Sequence, residues 1–115
     1  MKPTQHQIDE YSLLNPLFDS LLREIKELSK KKPDEKLNVF KGNTINKVLA
    51  RVKDLLINET TDEFLEIIDI DTLPSNSDVV FIMVQFETAL KKFYYKHTTG
   101  ENWTINREWD IEDDE

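Results

Sequence analysis

The chain has no cysteine among its 115 residues. That absence excludes disulfide bonds, thiolate zinc sites and cysteine nucleophiles, and it favours a reducing compartment, so we predict a cytoplasmic protein. Long apolar runs are also missing, because the longest covers only residues 79–84, whereas a membrane-spanning helix needs about 20 residues. The first ten residues are polar, unlike a secretory signal peptide. We therefore expect no membrane association.

Glycine is almost as rare, with only two in the chain. A single one, Gly42, falls between residues 16 and 97, where apolar residues recur at steps of three and four. This spacing is typical of amphipathic helices that share a core. We predict an all-α fold, a small bundle of four to five helices, forming a single domain over residues 1–111. The four acidic residues at 112–115 are expected to be a disordered tail.

Prolines set the predicted limits of the first two helices. A short helix is expected over residues 4–13, because a residue that precedes a proline is disfavoured in the helical conformation and Pro16 follows Asn15. Asn15 then caps a second helix with Pro16 in its first position. Pro33 ends that helix.

Three more helices are predicted from capping residues and apolar periodicity. One spans residues 34–58, with a kink or a break and restart at Gly42. A short one begins at the threonine pair 60–61 and has acidic residues in its first turn. The last spans residues 77–97; its beginning is rich in β-branched residues, but its length favours a helix over a strand.

Both tryptophans of the chain, Trp103 and Trp109, lie close to its end. Apolar and polar residues alternate from 103 to 111, which predicts an extended segment packed on the bundle, with a helical turn as the alternative. The tryptophans either clamp this tail to the helices or anchor a partner protein, since Trp, Tyr and Arg dominate binding hot spots.

The last long helix is apolar on more than one side. Its core stripe leaves a second set of apolar residues, and such a face is either central in its own domain or shared with a partner, including a second copy. We therefore assign partner binding to residues of this helix and of the tail. They are Phe81, Val84, Tyr95, Trp103, Arg107 and Trp109.

Charge alternates in blocks along the chain. Residues 23–53 carry ten Lys and Arg against four Asp and Glu. Such density could neutralise several phosphates, so nucleic-acid binding is an alternative function. The net charge of -8 opposes it. The candidate residues are Lys31, Lys32, Lys36, Lys41, Lys47 and Arg51.

Residues 54–78 carry eight acids and no base. On a helix, Asp62 and Glu66 are four residues apart, and Glu63 and Glu66 are three apart, so they could face one Mg²⁺ ion. A Mg-dependent nucleotide hydrolase is therefore a second alternative. Known helical sites of this kind usually have a second acidic pair from another helix, and here no second pair appears on an otherwise apolar face.

The sequence favours a binding function over a catalytic one. We assign no catalytic residue and no cofactor, because no nucleophile, relay or phosphate loop is recognisable. The function we expect is that of a non-enzymatic small acidic protein-interaction protein. It would present an acidic, partly apolar helical surface to a basic protein partner, alone or as a homodimer. An inhibitor, an immunity protein, an antitoxin and an accessory subunit all fit this description.

Overall fold

The computed structural model describes residues 2–100 and 107–111. These residues form a mostly helical fold with a small antiparallel hairpin. The elements in chain order are α1 (Gln5–Lys31), α2 (Val39–Leu55), a 3₁₀ helix (Thr60–Phe64), α3 (Asn76–Lys96), β1 (Thr98–Thr99) and β2 (Glu108–Trp109). The helical class is confirmed. The described part has three α-helices, fewer than the four to five predicted.

The first two predicted helices are one continuous helix, α1. It is capped by Thr4 and passes through Pro16, so the predicted end at residue 13 is wrong. A proline inside a helix costs about 3 kcal/mol, since it removes a hydrogen bond and clashes with the preceding turn. Here Leu14 and Phe18 are both buried on either side of it. Packing of one apolar stripe across the proline offsets the local penalty.

The second helix, α2, begins at Val39 rather than at residue 34. Asn38 is the cap, and its side chain accepts the Lys41 backbone N–H at 3.1 Å. The residues before it are not helical, because they pair with the segment that enters α3. The Leu37 N–H donates to the Pro74 carbonyl at 2.9 Å.

Gly42 is an interior residue of α2, which is continuous from Val39, so the predicted break and restart there is wrong. A Cβ atom at this position would lie 2.7 Å from Ile70 Cδ1 and 2.9 Å from Leu37 Cδ2. The glycine therefore permits a close approach between α2 and its neighbours. The helix ends at Leu55, three residues earlier than predicted.

The predicted short α-helix after residue 60 is instead a five-residue 3₁₀ helix followed by extended chain. The Asn46 side chain holds that chain against α2. Its Nδ2 donates to the Ile68 carbonyl at 2.8 Å, and its Oδ1 accepts the Ile68 N–H at 2.9 Å. Leu65 and Ile68 are buried, whereas Phe64 and Ile67 are exposed.

The last helix, α3, agrees with its prediction. Ser75 caps it with a capping box to Asp78, and residues 79–84 are helical. The core lies between α1, α2 and α3 and includes the three largest fully buried side chains. They are Phe18, Phe86 and Phe93.

The described part of the tail runs antiparallel to the residues that follow α3. Thr98 is opposite Trp109, and Thr99 is opposite Glu108. Trp103 and the acidic end 112–115 lie outside the described residues, so the predictions for them stand as predictions. Within the two described ranges, no helix is long and apolar enough to cross a membrane.

Replacing Asn46 with Ala should destabilise the fold by about 2 kcal/mol, because it leaves the Ile68 N–H and carbonyl without their partners. Asn43→Ala is the matched control, since Asn43 is an exposed residue of the same helix and gains the same helix propensity. Urea unfolding measures both free energies. Equal stabilities of the two variants would contradict a role for Asn46 in holding the 65–70 segment.

Candidate protein-interaction surfaces

An acidic strip, defined here as residues 57–71, covers the flank of α2 that faces away from α1. Phe64 is 68% exposed and Ile67 is 46% exposed. Exposed carboxylates surround these two side chains along the chain. They belong to Glu63, Glu66, Asp69 and Asp71.

Contacts with α2 fix the backbone of the strip. Lys53 Nζ lies 3.1 Å from Asp62 Oδ1 and also donates to the Asp62 carbonyl at 3.3 Å. Further along, Asn46 bonds both backbone groups of Ile68. Between these anchors the chain leaves the 3₁₀ helix after Phe64 and continues without helix or strand, and both Phe64 and Ile67 lie on the surface.

The electrostatics of the strip are of one sign. No Lys, Arg or His occurs between residues 54 and 78, and the nearest base, Lys53, is paired with Asp62. Glu59 of the strip also has a counter-charge, since it pairs with Lys96 Nζ at 3.3 Å. The exposed Glu63, Glu66, Asp69 and Asp71 still give the strip a net negative charge that attracts cationic groups. The strip therefore combines these carboxylates with three exposed apolar side chains, Ile57, Phe64 and Ile67.

The structure separates the residues that the sequence assigned to one partner face. Phe81 is 70% exposed, and Val84 is half-buried one turn further on. Tyr95 lies about 21 Å from Phe81 along α3, at 1.5 Å per residue. It belongs to a different neighbourhood, where its ring lies 5.1 Å from the Arg107 guanidinium.

Arg107 makes contacts within the chain. Its Nε donates to Thr98 Oγ1 at 2.7 Å, and its Nη2 donates to the Thr98 carbonyl at 2.7 Å and to the Tyr95 carbonyl at 3.2 Å. The guanidinium thus joins the tail to the end of α3.

Trp109 is half-buried in a cluster of rings. Its ring centroid lies 5.3 Å from that of Tyr11, 5.4 Å from Tyr94 and 6.0 Å from Phe93. Burial, followed by the influence of Tyr94 and then Asp19, raises the pKa of Tyr11 to about 12. This phenol therefore stays neutral at physiological pH, as suits a side chain stacked among aromatic rings.

The six basic candidates for nucleic-acid binding are all exposed, and they fall into two groups. Lys31, Lys32 and Lys36 are at or just beyond the end of α1, and Lys32 pairs with Glu35 at 3.4 Å. The other three, Lys41, Lys47 and Arg51, are on α2. Arg51 pairs with Glu10 of α1.

The geometry assumed for a metal site is absent from the acidic segment. The 3₁₀ helix ends at Phe64, so Asp62, Glu63 and Glu66 do not share an α-helical face. Asp62 is instead the partner of Lys53. In the part of the chain that the structure describes, no group of three or more His, Cys, Asp or Glu could hold a metal ion.

Two features of the structure were not predicted from the sequence. Phe64 and Ile67 were predicted to lie in one short α-helix, because helical and extended chains cannot be distinguished in so short an apolar pattern. His97, buried at the end of α3, has Glu59 as its partner, with Nε2 3.3 Å from Oε2. No local signal relates two residues 38 positions apart.

Comparisons with protein-family models, with curated proteins and with solved structures find no match to this chain.

Replacing Trp109 with Ala should lower the free energy of unfolding by about 2 kcal/mol, because a half-buried indole loses its contacts with three rings. Phe81→Ala, at an exposed position of α3, should change stability by less than about 0.5 kcal/mol. Urea unfolding followed by circular dichroism measures both. Unchanged stability of the Trp109 variant would contradict a clamp and favour a partner anchor.

Proposed function

We propose that this protein is a non-enzymatic interaction protein that binds a basic polypeptide partner on its acidic strip. It would act as an inhibitor, immunity protein, antitoxin or accessory subunit does, by covering a surface of its partner. The observation that carries the proposal is an exposed Phe64 next to Ile67, within 25 residues that have eight acids and no base.

The apolar side chains supply the affinity in this proposal. An exposed aromatic ring that enters a pocket of a partner removes a large apolar area from water, and such anchors carry most of the energy of an interface. Phe64 and Ile67 are only three residues apart, so one partner surface can cover both.

The carboxylates supply attraction and selectivity. A uniformly negative surface steers a positively charged partner during encounter and disfavours partners of like charge. The strip has no base in its own sequence, and it belongs to a chain whose net charge is -8.

Rigidity of the strip supports the same conclusion. The bonds of Asn46 to Ile68 and of Lys53 to Asp62 hold the backbone before any partner arrives. A surface that is already ordered loses less conformational entropy on binding, so more of the contact energy appears as affinity.

The double variant Phe64→Ser/Glu66→Lys should abolish capture of a basic partner when the tagged protein is purified from its cell of origin. The loss expected for the purified pair is at least about tenfold in Kd, equivalent to 1.4 kcal/mol, measured by titration calorimetry. The matched variant Phe81→Ser/Glu108→Lys makes the same two side-chain changes at exposed positions elsewhere.

The matched variant also tests the partner face predicted from α3. Capture that survives Phe81→Ser/Glu108→Lys and is lost in Phe64→Ser/Glu66→Lys supports the acidic strip. The reverse pattern, or equal capture by both variants, would refute it. Circular dichroism on each variant confirms that the helices are intact.

A further inference from the structure

A second apolar surface lies on the other flank of α2, in the groove that α2 forms with α1. Phe40, which is 79% exposed, and Leu21 line it. Leu13 and Leu17, each 48% exposed, are eight and four residues before Leu21 on α1 and continue this side of the helix. Half-buried apolar residues continue the groove between them. They are Leu21, Leu28 and Val48.

Contacts at its two ends show that the groove runs the length of an antiparallel helix pair. At one end Glu10 of α1 pairs with Arg51 of α2. At the other, Leu28 and Phe40 line one depression of about 180 Å³ between the helices. The apolar stripe of α1 between residues 13 and 28 is about 22 Å long, at 1.5 Å per residue.

Leu13, Leu17 and Phe40 are surplus to the core of the chain. The α1 stripe that packs inside the protein contains Leu14, Phe18, Leu22 and Ile25, all buried. Leu13 and Leu17 are on the flank of the same helix, one position before Leu14 and Phe18. An α1 that is apolar on its inner face and on this flank has the pattern of a helix with partners on both sides.

The two edges of the groove carry opposite charges. On α1, the exposed Glu24 lines the groove and the exposed Glu27 follows it, paired with Lys30 at 3.2 Å. On α2, the exposed Lys41 lines the groove and the exposed Lys47 follows it. A twofold axis parallel to the helices would place α1 of one copy against α2 of another. Every acidic edge would then face a basic edge at the same height along the bundle.

We propose that the α1–α2 groove binds a second copy of this chain, and that the two helix pairs form an antiparallel four-helix bundle. The exposed leucines and, at one end of the groove, Phe40 are then buried in a closed, twofold interface. A uniformly basic or acidic partner would oppose one of the two edges, whereas a second copy matches both. This groove is separate from the acidic strip, so the dimer leaves that strip open.

Sedimentation equilibrium of the full chain tests the proposal. We expect a mass of twice 13.6 kDa at about 300 µM, with dissociation on dilution. Leu17→Glu should raise the dimer dissociation constant at least about a hundredfold, because it places a carboxylate in the apolar centre. Phe64→Ser, on the acidic strip, should leave the dimer unchanged. A wild-type chain that is monomeric at about 300 µM overturns the proposal.

A pair of charge variants tests the arrangement of the edges. Glu24→Lys/Glu27→Lys makes both edges basic, and Lys41→Glu/Lys47→Glu makes both acidic. Each variant alone should dimerise at least about tenfold more weakly than the wild type. An equimolar mixture should recover the wild-type dissociation constant, because opposite edges again meet. Failure of the mixture to associate overturns the proposal, provided that circular dichroism shows both variants folded.

These outcomes are independent of the proposed function. A monomeric protein that still captures a basic partner through Phe64 refutes only the dimer. A dimer without such a partner refutes only the role of the acidic strip.

Discussion

The pair of hydrogen bonds between Asn46 and the backbone of Ile68 determines what the surface of this protein offers. They hold Ile68 against α2, in a segment where Leu65 and Ile68 are buried and Phe64 and Ile67 are exposed. In an α-helix of the same sequence, the four apolar residues would lie together and could all be buried. The Asn46 side chain on α2 thus holds a segment that leaves Phe64 and Ile67 exposed in the acidic strip.

The helix α2 separates two surfaces with different electrostatic character. On one flank, the acidic strip has a single sign of charge, which suits a partner of the opposite sign. On the other, the groove with α1 has an acidic and a basic edge, which makes it complementary to itself. Gly42 allows the strip side to pack closely, since its missing side chain leaves space for Ile70. Partner binding on the acidic strip and self-association through the groove therefore both depend on how α2 packs against its neighbours.

Long amphipathic segments could be predicted from the sequence, whereas features set by distant contacts could not. The pattern of α3 is long enough to establish a helix, and the alternation around Trp109 indicated an extended chain, which β2 shows in part. The boundary at Pro16 failed because core packing on both sides of the proline outweighs its local cost. The prediction of an α-helix over residues 60–68 was wrong because this segment is bonded to Asn46, more than twenty residues away in the sequence.

Hydroxyl-radical footprinting of residues 64–68 reports the exposure of each side chain in solution. It therefore tests directly whether Phe64 and Ile67 lie on the surface while Leu65 and Ile68 are buried. We expect strong labelling of Phe64 and Ile67 and protection of Leu65 and Ile68 in the same peptide. If Phe64 and Ile67 are instead protected to the same degree as Leu65 and Ile68 in the monomeric, partner-free protein, the segment is packed as a buried stripe. The acidic strip would then not exist.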